Sequence, residues 1–136
     1  MKVLNFALIL SYFLLTTSFS EKKKVDPNLI LGKWEIYKIQ ESGRAPKTQR
    51  QKFIEFKADG TLLGGGIGEI PDKRGTWKLN PKTGILTIQS RESYKDNGNY
   101  EILKLTQQDL ILKRDKDQVF MDRGTQSSGS TENNLR

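Results

Sequence analysis

Between Leu29 and Arg123 apolar side chains recur at every second position in short runs, and turn-forming residues separate the runs. A period of two is the signature of a half-buried β-strand, because successive side chains point to opposite faces of a sheet. "GKWEIYKI", Gly32 to Ile39, sets Trp34 and Ile36 on one face and Lys33, Glu35 and Tyr37 on the other. The polar stretch "QESGRAPKTQR", Gln40 to Arg50, has no alternation. With Pro46 in it, that stretch is predicted to be a loop or a short lid.

"KFIEFK" and "TLLGG" flank Ala58-Asp59-Gly60, which predicts a hairpin with Asp59-Gly60 in its turn. "RGTWKL" and "ILTIQS" flank "NPKTG" and predict a second hairpin, its turn set by Pro81 and Gly84. "KDNGN" reads as a turn before "YEILKL", and "TQQD" and "DKD" separate that run from "LILKR" and "QVFMDR". The pattern contains about eight strands and no convincing helix. Neighbouring antiparallel strands in this number close most easily on themselves, since closure removes exposed edges. The predicted fold class is therefore all-β, a small antiparallel up-and-down β-barrel of about eight strands.

The alternation also assigns an interior. Trp34, Ile36, Ile54, Phe56, Trp77, Leu79, Ile102, Leu110 and Leu112 are expected to point inward. An eight-stranded barrel is just wide enough to be filled by side chains or to admit one small ligand. These bulky residues predict a mostly filled base, with either no cavity or a shallow mouth. Any opening is expected at the rim shared by Gly64 to Gly68 and the Gln40 to Arg50 stretch.

The two ends depart from the strand pattern. Residues 1–20 begin with Met1-Lys2, continue as the apolar run "VLNFALILSYFLLTT" and end in "SFS" before "EKKK". One early positive charge, an apolar centre and small residues at Ser18 and Ser20 predict a secretory signal cut after Ser20, which leaves no stable membrane anchor. Export to a bacterial periplasm or the medium follows from that expectation. Residues 21–28, "EKKKVDPN", form a charged linker in which Asp26-Pro27 disfavours α-helix. Residues 29–123 form the barrel domain. Residues 124–136, "GTQSSGSTENNLR", hold almost nothing apolar besides Leu135 and are predicted to be a disordered tail.

Composition removes whole classes of chemistry. The chain has no Cys and no His. Thiolate nucleophiles, disulfides, thiolate metal sites and histidine-based triads are thereby excluded. A small exported domain without disulfides suits a bacterial envelope better than an animal secretory route. The predicted signal carries one Lys of the +7 excess, so the remainder of the chain is +6. Three of those charges are Lys22, Lys23 and Lys24, and the rest mix both signs along strands and turns. No basic stripe with interleaved aromatics appears, so nucleic acid is not an expected partner.

Individual motifs carry little chemistry. "GGGIG" at Gly64 to Gly68 is followed by "EIPDKRG" rather than by a helix whose amides could cradle phosphate, so it reads as a strand end or bulge. "KDNGNYE" lacks the spacing of a calcium loop, and Asp115 and Asp117 lie in a turn, so no metal site is assigned. Glu35, Glu55, Glu101 and Asp122 alternate with apolar neighbours, which puts them on the solvent face and not in an acid/base pair. No catalytic residue and no cofactor is expected.

Two Gly-x-Trp units remain, at Gly32 to Trp34 and Gly75 to Trp77. No third unit occurs, so a repeat array fails on count, and each Trp reads as a large ring buried in the core. "LGKWEI", "EFKADGTL", "RGTWKL", "GILTI", "YEILKLTQQDLILKR" and the ending "FMDR" together resemble the small bacterial lipocalin-like proteins, exported eight-stranded barrels of the calycin kind. The resemblance covers about Leu29 to Arg123. It implies that Trp34, preceded by Gly32, closes one barrel end and that Arg123 packs over it. It also implies two function classes: a binding module for a small apolar molecule at the barrel mouth, or a non-enzymatic structural or protein-interaction module of the cell envelope with a filled barrel. The structural residues so assigned are Gly32, Trp34, Trp77 and Arg123. The residues that touch a ligand, and the oligomeric state, are not fixed by the sequence.

Overall fold

The computed structural model describes residues 24–92 and 94–124. The expected signal segment, the first residues of the linker and the tail beyond Gly124 lie outside the described residues. Eight strands follow in chain order: β1 (Gly32–Gln40), β2 (Lys47–Phe56), β3 (Thr61–Gly66), β4 (Lys73–Asn80), β5 (Ile85–Ser90), β6 (Gly98–Leu105), β7 (Asp109–Arg114) and β8 (Asp117–Asp122). Each pairs antiparallel with its neighbours, and β8 returns to β1, so the sheet is a closed up-and-down barrel. Among the described residues no helix is long and apolar enough to cross a membrane.

Turn chemistry sets the register. Gly60 at φ +84° and Gly84 at φ +68° occupy the left-handed region that favours glycine, where the "ADG" and "NPKTG" hairpins were expected to turn. Asp59 reinforces the first turn by accepting from the Thr61 amide and hydroxyl at 2.9 and 2.6 Å, and these bonds hold its carboxyl below the usual range.

The interior follows the period of two. Trp34, Phe56, Leu110 and Leu112 are buried, and Ile36, Ile54, Trp77, Leu79 and Ile102 pack against them. The core also contains Ile30, Leu62, Leu86, Ile88, Tyr100 and Met121. Two β-bulges interrupt the alternation, one between Ile36 and Lys38 and one between Ile102 and Lys104. Each inserts one extra residue, so Ile36 pairs with inward Met121 and Ile39 with inward Val119, while Tyr37 is left over. The second bulge likewise leaves Leu103 over, and that side chain is 45% exposed.

Two segments differ from the sequence reading. Lys47 to Arg50, expected in a loop, form the first part of β2 and pair with β1 through Lys38↔Thr48 and Ile39↔Lys47. Every residue from Lys47 to Lys52 is exposed, so neither face of this projecting end selects apolar side chains, and the alternation is missing for that reason. Pro46 stands just before the strand, where its lack of an N–H costs no ladder bond. Among the described residues the expected charged linker runs into a 3₁₀ turn at Pro27–Ile30, whose start Asp26 caps by accepting from the Asn28 amide at 2.9 Å. A proline in the first turn suits such a start, and it delivers Ile30 to the barrel end at 0% exposure.

Candidate functional site: a closed end and an open mouth

The barrel has unlike ends. At one, β1 enters from the 3₁₀ turn and the chain leaves through Arg123. Gly32, with φ +99°, turns the chain into β1 so that Trp34 points inward two residues later. Trp34 is fully buried, and its indole N–H donates to the Ile30 carbonyl at 2.8 Å. The Arg123 guanidinium carbon lies 3.6 Å from the centre of the Trp34 ring. Its N–H groups donate to the carbonyls of Leu29 at 2.7 Å, Lys33 at 3.2 Å and Gln107 at 3.3 Å. A cation over an indole face gains electrostatic attraction, and the three carbonyls satisfy the fork of donors. Partial burial lowers the guanidinium pKa, since desolvation disfavours its charge.

Gly32, Trp34 and Arg123 are thus brought together, with a Cβ at Gly32 placed only 3.1 Å from Arg123 Nη1. Trp77 stands apart from them and is half-buried. Its ring meets Phe56 edge-on at 5.6 Å between centroids, and its indole N–H donates to the Lys57 carbonyl at 2.9 Å. Among the described residues the closed end holds no unpartnered buried side-chain donor or acceptor.

Outside the barrel, Arg50 joins three strands. It donates to Glu35 at 3.0 Å and to both oxygens of Asp122 at 2.6 and 2.7 Å, a bidentate pairing. These hydrogen bonds from Arg50 hold the Asp122 carboxyl below its ordinary range, helped by the Gly124 amide. A carboxyl depressed in the folded state contributes stability above its unfolded pKa of about 3.9, and that contribution is lost as the pH falls below it. Asp122→Asn is therefore expected to flatten the fall in stability between pH 4 and pH 2 without abolishing it, because Asp59 is also depressed. Denaturant midpoints at several acid pH values check this, and an unchanged acid slope would count against it.

The opposite end is open and leads into a cavity of about 730 Å³. This is larger than the shallow mouth expected from the bulky interior. The difference arises from β3. In register with inward Ile54 and Lys52, Gly64 and Gly66 face the interior and contribute no side chain to it. The expected rim is partly right: Gly64 to Gly66, Ile67 and Arg50 line the opening, while the hairpin tip from Glu41 to Pro46 does not. The depth is apolar, formed by Ile36, Ile54, Leu62, Ile88, Val119 and Met121. Tyr100 lines it too, donating through its hydroxyl to the Asp96 carbonyl at 2.8 Å and accepting from Arg114 at 2.9 Å. Burial raises the pKa of that hydroxyl, and Arg114 partly offsets the rise. No buried side-chain donor or acceptor among the described residues lacks a partner, so the depth has no unmet polar group to offer.

Charged groups gather at the rim. Lys52 and Lys73 face inward by register, Lys73 across from Asp96 at 3.6 Å. Sequence reading passed over both lysines, although Lys52 lies two residues before inward Ile54, on the same face. Among the described residues no group of three or more His, Cys, Asp or Glu side chains is placed to hold a metal ion.

An eight-stranded barrel with one end plugged by Trp34 and Arg123 and the other open to an internal cavity defines a lipocalin-like domain. A family model described as a C-terminal lipocalin-like domain (GH43_C) matches residues 16–120, and the chain belongs to that family. Among solved structures the chain is similar to a lipocalin-like protein from Bacteroides uniformis ATCC 8492, with TM-score 0.59 and 14% identity over 69% of this chain and 97% of that one. It is similar also to an uncharacterized protein from Bacteroides eggerthii DSM 20697, with TM-score 0.57 and 14% identity over 68% of this chain and 98% of that one. At such identities the likeness is one of fold. No curated protein matches the chain.

Proposed function

We propose that the protein is an exported, non-catalytic binding module that takes a small apolar molecule through the open end of its barrel. The observation that carries this reading is the cavity of about 730 Å³, apolar in its depth and opened by inward glycines. Pockets that enclose small ligands fall between roughly 300 and 1,000 Å³ and are lined mostly by apolar side chains. The same cavity disfavours a purely structural module with a filled barrel. A chain without His or Cys, whose Glu35 and Asp122 are engaged by Arg50 on the outer face, offers little for acid, base or nucleophilic work. Export rests on the charge, apolar run and small residues of segment 1–20.

Native mass spectrometry of protein purified from its own envelope tests the reading. The expected result is a retained small apolar molecule, or, after stripping, calorimetric binding of 1-dodecanol at micromolar strength, about 8 kcal/mol. Protein that carries nothing and binds no apolar probe would favour an interaction module instead.

A further inference from the structure

The rim has a pattern that the apolar depth does not require. At the mouth the inward positions of β2, β3 and β4 set Lys52 beside Gly66 and, two residues along β3, Ile54 and Lys73 on either side of Gly64. Two ammonium-bearing side chains therefore flank a strip of wall with no side chains of its own. A Cβ at Gly64 would lie 3.7 Å from the Lys73 Cβ, which puts that lysine on the same inner face. The strip is not empty. A Cβ built at Gly66 would collide with the Glu69 carboxylate, so that group rests where an inward side chain at position 66 would stand.

Glu69 reaches the strip from the loop between β3 and β4. Neither lysine lies within 4.0 Å of its carboxylate, and among the described residues that carboxylate has no hydrogen-bond partner. Lys52 likewise has no side-chain partner among the described residues, and Lys73 has only the loose contact to Asp96, both groups being partly exposed. The remaining acid lining the opening, Asp72, is turned onto Gly65, whose Cβ position it approaches to 3.1 Å on the face opposite to Gly64 and Gly66. A carboxylate thus already occupies the bare strip at Gly66, in register with Lys52 and diagonal to Lys73, held by nothing but its loop.

We propose that this strip receives the anionic head of an amphipathic ligand, a carboxylate on a single apolar chain, with Glu69 marking the position that the head takes when it displaces that side chain. The inference rests on the reading of the cavity as an apolar site and adds the chemistry of the head group. The tail lies in the depth, where every polar group is already satisfied and only apolar contact is on offer. The head stays at the rim, where water still reaches it and where Lys52 and Lys73 supply opposite charge. The protein's overall excess of +7 favours approach of an anion.

Isothermal titration calorimetry below the micellar range, with dodecanoate, 1-dodecanol and dodecyltrimethylammonium as probes, tests it. Dodecanoate is expected to bind about tenfold more tightly than the alcohol, equivalent to ~1.4 kcal/mol, with the cationic probe weakest. Lys52→Ala with Lys73→Ala should remove the preference and leave alcohol binding intact, while Glu69→Gln should strengthen dodecanoate binding. Circular dichroism confirms that each variant is folded, and Lys52→Gln serves if the double variant is not. Equal binding of acid and alcohol, a preference that survives loss of both lysines, or tighter binding of the cation overturns the head-group assignment and leaves the apolar site standing. Binding of none of the three overturns both.

Discussion

Replacing Trp34 by alanine is expected to lower folding stability by roughly 3–5 kcal/mol, the usual cost of deleting a large buried aromatic side chain. Trp34 has 0% exposure, and its removal would empty the volume between Ile30 and the core while leaving the Ile30 carbonyl without its indole donor. Arg123 would lose the ring beneath it. Because Arg123 is partly exposed and its carbonyl partners can turn to water, Arg123→Ala should cost less, about 1–3 kcal/mol. Urea denaturation of both variants decides the order. A Trp34→Ala protein that unfolds at the wild-type midpoint would show that Trp34 does not close the barrel.

Gly66→Trp is expected to abolish binding at the open end while leaving the fold in place. Gly66 has no positive φ, so a side chain meets no backbone strain, and the nearest atoms to its Cβ would be the carboxyl group and Cγ of Glu69, the far end of an exposed flexible side chain. The indole would then stand in the cavity mouth. Affinity for 1-dodecanol and for dodecanoate should both fall by more than roughly tenfold. The thermal midpoint should move little. A folded Gly66→Trp protein that binds either probe at wild-type strength would place the site elsewhere. A loss for both probes separates blocked entry from a head-group effect, which acts on dodecanoate alone.

The closed end was anticipated through the family resemblance, which implied that Arg123 packs over Trp34, as the ring contact at 3.6 Å has it. A glycine two residues before a tryptophan, opening an alternating strand, marks Trp34, and a basic residue at the end of the last strand completes the pair. Although the expected inward set held only Trp34, Phe56, Leu110 and Leu112 of the buried core, Leu86 and Ile88 in "ILTIQS" and Tyr100 and Ile102 in "YEILKL" carry the same period-two signal and could be read from it. Ile30 could not. It is buried by a 3₁₀ turn that folds onto the barrel end, and a segment beginning "EKKKVDPN" gives no sign of that contact. Lys47 to Arg50 escaped for the opposite reason: a strand exposed on both faces has no pattern to display.

By itself the sequence determined the strand count, the main hairpin turns and the inward positions of Trp34, Phe56, Leu110 and Leu112 within the buried core. Each follows from the alternation of side chains across a strand or from the backbone demands of a turn. The cavity, the inward direction of Lys52 and Lys73 and the resting place of Glu69 were decided only by the tertiary structure. Strand register determines which glycines face the interior and which charged residues lie beside them, and the β2–β3 and β3–β4 pairings that set it run without a bulge. Summed side-chain volume predicts a filled barrel. The arrangement leaves it open because the two inward β3 residues at the mouth are glycines, paired with Ile54 and Lys52, and the space they leave is enclosed only when all eight strands close.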